Sequence, residues 1–192
     1  MGNLKRFKIQ LIKNKKGFTL SELIIAISLT LIIISSAYVI YTISQKSFKT
    51  GSQKDELTQN AKIGLEKISR ELRETSKITI TLPPTGDDPE NPPANEITFR
   101  DANYSNIRYI NYYLSDNNLN RRIYHYYIEG NPDNWVAYNT TGATSQLDGE
   151  TTIASYIAQL EFYGQSIVTI NIRAQLDSDI VNLTTQVSPR NI

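Results

Sequence analysis

The sequence predicts an α+β fold, a long amino-terminal helix followed by an antiparallel β-sheet, and three observations predict it. A largely apolar run spans Phe18 to Ile43. Beyond it Leu57, Ala61, Leu65, Ile68 and Leu72 recur at helical spacing. After Asn95 the chain breaks into short β-like runs separated by turn signals. With 192 residues and 40% hydrophobic content, there is material for one globular core rather than two.

The first run reads FTLSELIIAISLTLIIISSAYVIYTI, and its roughly 26 residues would extend about 39 Å as a helix, enough to cross a hydrocarbon core. The expectation is one membrane-spanning helix in contact with lipid. Lys5, Arg6, Lys8, Lys13, Lys15 and Lys16 precede Gly17 with no acid among them. Such a stretch stays cytoplasmic and places the carboxyl-terminal bulk across the membrane. A secretory signal would be shorter and would end in a small-residue cleavage site, and no A-x-A-like site follows this run. The net charge of +1 therefore conceals a basic leader and a mildly acidic remainder, which argues against nucleic acid as the main partner.

Within the apolar run stands one carboxylate, Glu22. An ionisable residue at membrane depth is costly and points to function. The string Lys15-Lys16-Gly17-Phe18-Thr19-Leu20-Ser21-Glu22 resembles the class III signal of type IV prepilins. The resemblance implies that a prepilin peptidase cuts after Gly17 and methylates the new amino-terminal residue, Phe18. It also implies that Glu22, at the fifth mature position, serves subunit assembly by pairing with the Phe18 amine of a neighbour. In lipid each of those charges is expensive unless paired, which accounts for their separation by one helical turn. Glycine at position 17 leaves the backbone open to the peptidase. The competing reading is a plain signal anchor with Glu22 near the headgroups.

The implied fold is type IV pilin-like: leader 1–17, membrane and filament-core helix 18–43, amphipathic continuation 44–78, and a β-rich head 79–192. A continuous helix from Phe18 to Ile78 would approach about 90 Å. Gly51 and Gly64 are candidate bends, and Ser52 with Asp55 a candidate re-capping point after a break. Thr81–Asn95, with five prolines, reads as an extended surface loop. Its Leu82-Pro83-Pro84-Thr85-Gly86 matches a sortase motif but lacks the apolar segment and basic tail such a substrate needs. Asp87, Asp88 and Glu90 lack the ligand spacing of a calcium loop and read as a solvated acidic cluster.

Strands are expected at Glu96–Arg100, Ile107–Leu114, Arg122–Ile128, Trp135–Tyr138, Ile157–Tyr163, Ile167–Leu176 and Ile180–Val187. Hairpins are expected at Asp116-Asn117-Asn118 and Gly164-Gln165. The helix end Ile68-Ser69-Arg70-Glu71-Leu72-Arg73 is similar to one branch of the family, minor pseudopilin J of type II secretion and the W-type minor pilins. So are the strand Ile97-Thr98-Phe99-Arg100, the pair Ile110–Leu114 and Leu119–Arg121, and the closing Val187-Ser188-Pro189-Arg190-Asn191. That resemblance implies a minor subunit that helps start filament assembly with other major and minor pilin or pseudopilin subunits and an inner-membrane assembly platform. Tyr104, Tyr109, Tyr112, Tyr113, Tyr124, Tyr126 and Tyr127 form a candidate aromatic surface, although alternation turns about half of them inward.

Catalysis finds no footing. There is no Cys and a single His, His125, so disulfides, thiolate metal sites and His-based triads fall away. No nucleophile–base constellation, phosphate loop or metal spacing remains, and neither catalytic residues nor a cofactor or metal are expected. The main alternative is a filament-displayed or membrane-anchored binding module, an adhesin or DNA-uptake subunit.

Overall fold

The computed structural model describes residues 17–75 and 77–190. The expected leader up to Lys16 lies outside them, as does Asn191 of the expected closing pattern. The chain forms two compact units, one ending at Ser47 and one beginning at Phe48.

One helix, α1 (Leu20–Glu74), runs through both glycines without a break. No second cap forms at Ser52 or Asp55, contrary to the expectation. In the first unit α1 is apolar on every side: Leu23, Ile24, Ile27, Leu31, Ile34 and Ile40 are all exposed. A helix apolar all round needs lipid or other helices as its surroundings. This one is long and apolar enough to cross a membrane. Four of its hydroxyls bond back to carbonyls of the preceding turn: Ser28 to Ile24 O (2.8 Å), Thr30 to Ala26 O (2.7 Å), Ser36 to Ile32 O (2.8 Å) and Thr42 to Val39 O (2.9 Å). That satisfies groups which would otherwise be stranded in hydrocarbon.

In the second unit the stripe Leu57, Ala61, Leu65, Ile68 and Leu72 is buried. Each large member contributes roughly 1.5–3 kcal/mol by leaving water. Gly64 belongs to this stripe, and a Cβ there would stand 2.8 Å from Leu119 Cδ2 and 3.3 Å from Ile172 Cδ1. It marks a close approach of helix to sheet rather than a bend.

The helix packs on eight antiparallel strands: β1 (Ile97–Arg100), β2 (Arg108–Ser115), β3 (Asn118–Ile128), β4 (Asn131–Val136), β5 (Ala143–Ser155), β6 (Ile157–Tyr163), β7 (Val168–Leu176) and β8 (Asp179–Val187). The α+β class is as expected; β4 runs Asn131–Val136 where a strand was expected at Trp135–Tyr138, and there are two larger departures. First, the strands form two sheets, β1 to β5 and β6-β7-β8. Tyr156, the one residue between β5 and β6, has φ +63°, and this turn sends the chain from one sheet to the other. Second, β5 was not expected; its side chains are mostly polar and exposed, and its place comes from backbone pairing with β3 along its length.

The β2–β3 turn has Asp116 and Asn117 at φ +51° and +59°, the left-handed pair a two-residue hairpin requires. Alternation then fixes the faces. Ile110, Tyr112 and Leu119 point at α1, as do Leu160, Phe162, Val168, Ile170 and Ile172 from the smaller sheet. The proline-rich segment has neither helix nor strand of its own, yet it is pinned rather than free. Leu82 is buried, Ala94 exchanges both backbone bonds with Phe162 (3.0 and 2.8 Å), and the Gly164 N–H reaches Pro83 O at 2.7 Å.

Candidate functional site

The candidate site at the amino terminus is built from the first residues described. Gly17, Phe18 and Thr19 precede the helix, and Phe18 is almost wholly exposed. Thr19 caps it: the Glu22 N–H donates to Thr19 Oγ1 at 3.2 Å, and the Thr19 N–H donates to Glu22 Oε2 at 2.9 Å. This reciprocal pair is a capping box, and its T-x-x-E spacing is present in the sequence. The Thr19 hydroxyl adds a bond to the same oxygen at 3.0 Å. The lone acid of the apolar run is thus folded back against helix N–H groups, whose partial positive charge suits it. Nothing lies within 4 Å of where a Cβ on Gly17 would stand, so no atom of the described chain requires glycine there.

The head carries the other polar features. Glu71 on α1 accepts bonds from Tyr112 Oη (2.8 Å) and Arg121 Nε (2.9 Å), and its other oxygen meets Lys67 Nζ at 2.9 Å. Burial pushes the Glu71 carboxyl up, but the bonds from Arg121, Lys67 and Tyr112 outweigh it and hold the group below its ordinary value. Burial, then the Glu71 charge, drives the Tyr112 phenol well above its ordinary value.

The tyrosines expected to form one surface divide between faces. Tyr112 is inward and stacks near Phe99. Tyr109, Tyr124 and Tyr126 cluster on the opposite face with Tyr138. Burial above all pushes Tyr124 up to about 12. Tyr124 and Tyr126, with Arg122, Asn111, Glu96 and Glu150, line an open groove of about 480 Å³. Tyr113 lies under the Arg122 guanidinium at 4.1 Å.

Tyr104 sits between the Arg108 guanidinium (3.8 Å) and Trp135 (5.8 Å), and Trp135 stacks on His125 at 4.0 Å. Tyr127 flanks His125. An extra residue in β5 opposite Ile123 and Tyr124 makes a bulge. It places Asp148 against His125 Nδ1 at 2.8 Å. None of this polar architecture was foreseen from the sequence.

In the acidic loop, Asp88 Oδ1 accepts the Glu90 N–H at 3.0 Å. Among the described residues no three His, Asp or Glu side chains gather where they would hold a metal ion.

A long amino-terminal helix packed on an antiparallel sheet domain is the arrangement of type IV pilin-like proteins, and this chain has it. The model of the prokaryotic N-terminal methylation motif matches residues 12–38, which contain Gly17, Phe18 and Glu22. The match supports a type IV pilin-like protein processed by prepilin peptidase and assembled with other pilin subunits, a structural rather than catalytic family. With the apolar helix it fits a pilin anchored in the inner membrane with its head outside. No curated protein matches the chain.

Proposed function

We propose that this chain is a minor pilin or pseudopilin that assembles into, or primes, a type IV pilus-like filament. On this reading residues 1–17 are the leader and 18–43 the filament-core helix; its amphipathic continuation ends at Glu74, short of the expected residue 78, and 79–192 are the head. Prepilin peptidase cuts after Gly17 and methylates Phe18. The observation that carries the reading is Glu22, the single carboxylate in the exposed apolar run of α1, one turn from an exposed Phe18.

The chemistry follows from charge in a medium that does not solvate it. Cleavage turns the Phe18 nitrogen from an amide into an amine that carries a proton. The carboxylate and the amine each resist burial alone, and a neighbouring subunit's amine relieves both. Subunits whose helices are otherwise uniformly apolar then acquire one preferred axial offset. No atom of the described residues lies near a Cβ on Gly17, which is consistent with glycine there serving recognition by the peptidase.

Intact-mass and amino-terminal analysis of the protein made with and without a prepilin peptidase tests this. A mature chain beginning at N-methylated Phe18 only when the peptidase is present is the expected result. Retention of Met1 through Gly17 under both conditions would overturn it, leaving a signal-anchored surface domain.

The outer groove beside Tyr124 and Arg122 favours a second reading, in which the filament displays the head as a binding module. Deletion separates the two: loss of filaments supports the assembly role, and normal filaments that fail to bind support display.

A further inference from the structure

The unpaired N–H and C=O groups of a sheet edge invite another strand, and proteins blunt such edges with cover, proline, charge or bulges. Among the described residues every edge but one is blunted here. The β1 edge is covered by residues 77–79, through Thr79 N–H to Thr98 O at 2.9 Å and Arg100 N–H to Lys77 O at 2.9 Å. The β6 edge is covered at Ala94. Short β4 contains Pro132, and β5 is bulged twice and carries Asp148 and Glu150.

β8 has none of these devices. It pairs with β7 in unbroken register from Val168↔Val187 to Leu176↔Asp179. It contains no Pro and no Lys, and its one charge is Asp179 at the start. In its core-facing row Val187 is buried, but Val181, Leu183 and Thr185 are only half-buried, whereas Val168, Ile170, Ile172 and Ala174 of β7 are buried. The middle of that row is only partly covered.

A groove of about 340 Å³ runs between β8 and α1, with Leu65, Leu183 and Thr185 in it. Its helix wall presents Lys62, Arg70 and Arg73 against one acid, Glu66, which pairs loosely with Lys62 at 3.8 Å. We propose that β8 is a docking edge for an extended acidic segment of a partner polypeptide. The segment adds as a fourth strand to the smaller sheet, covers Leu183, and sets its carboxylates against Arg70 and Arg73. A second copy fits poorly, because β8-to-β8 pairing brings two basic walls together. This chain's own acids, Asp87, Asp88 and Glu90, lie among prolines that lack strand donors.

The test uses the full chain in detergent micelles and a fluorescein-labelled nonapeptide with Thr at odd positions and Val, Glu, Val, Glu at even ones. Its controls are the same peptide with Lys for Glu and the Glu peptide with N-methylated backbone nitrogens. The Glu peptide should bind at least about tenfold more tightly than either control. Amide exchange in β8 should slow by about tenfold at saturation, as new ladder bonds require. Charge reversal in R70E/R73E changes side chains on the open groove and should invert the Glu-over-Lys preference, with the fold checked by Trp135 emission. Equal binding of the Glu and Lys peptides, no binding of either, or unchanged β8 exchange with peptide bound would overturn the proposal. So would β8 already protected in a dimer of the chain alone, which assigns the edge to a second copy.

Discussion

The Tyr112 hydroxyl, on β2, donates to the Glu71 carboxylate, on α1, at 2.8 Å, and ties sheet to helix beside a largely apolar core. Arg121 of β3 holds the same oxygen. Glu71→Ala leaves both the guanidinium and the phenol without their acceptor, and should cost about 2–3 kcal/mol. Tyr112→Phe removes one bond but keeps the ring, and should cost about 1 kcal/mol. Urea unfolding followed by the emission of Trp135, the only tryptophan, measures both.

Acid should weaken the head through the same carboxylate. The folded state holds Glu71 below its ordinary value, so its contribution is complete above that ordinary value and is lost as pH falls through the depressed one. Glu71→Gln should be less stable near neutrality and should show a flatter acid limb. An acid limb as steep as the wild type's would assign the acid sensitivity to other carboxylates.

Alkali should act through Tyr124. Its phenol is raised to about 12 in the folded head, while an unfolded tyrosine ionises near 10. The stability it contributes is complete below about pH 10 and falls as pH rises toward 12. Tyr124→Phe should flatten that decline, read from unfolding midpoints at stepped pH.

The two helical glycines should respond oppositely to alanine. Gly51→Ala meets nothing within 4 Å and should stabilise by up to about 1 kcal/mol through helix propensity. Gly64→Ala drives a methyl into Leu119 and Ile172 in a filled core, and should lose about 1–2 kcal/mol despite the same propensity gain. Equal shifts in unfolding midpoint would contradict the close approach at Gly64.

Glu22→Ala should leave membrane insertion intact, because removing a charge from an apolar helix can only favour partition into lipid. Incorporation beside wild-type subunits should fall on the order of tenfold, measured by co-purification with sheared filaments. Unimpaired incorporation would count against the pairing role.

Helices and buried strands were legible because their signals are local. The Leu57-to-Leu72 stripe appears within 16 consecutive positions and predicts the buried face directly. β5 was illegible because a strand held by backbone pairing and exposed on both faces carries no hydrophobic period. Glu71 looked like one of many solvated charges, since its partners Tyr112 and Arg121 lie 41 and 50 residues away. Leu82 was lost among prolines, and only tertiary contact shows that segment pinned along β6. At the amino terminus Gly17, Phe18 and Glu22 were legible as a string, while the bond between Thr19 and Glu22 needed coordinates.

The hydroxyls of Ser28, Thr30, Ser36 and Thr42 spend their hydrogens on their own helix. To anything alongside, that stretch is a nearly smooth rod, broken mainly by the exposed Tyr38 and Tyr41: sliding it by a turn mostly exchanges one greasy contact for another. Such a surface holds tightly without dictating position, so information about where to stop must come from its ends.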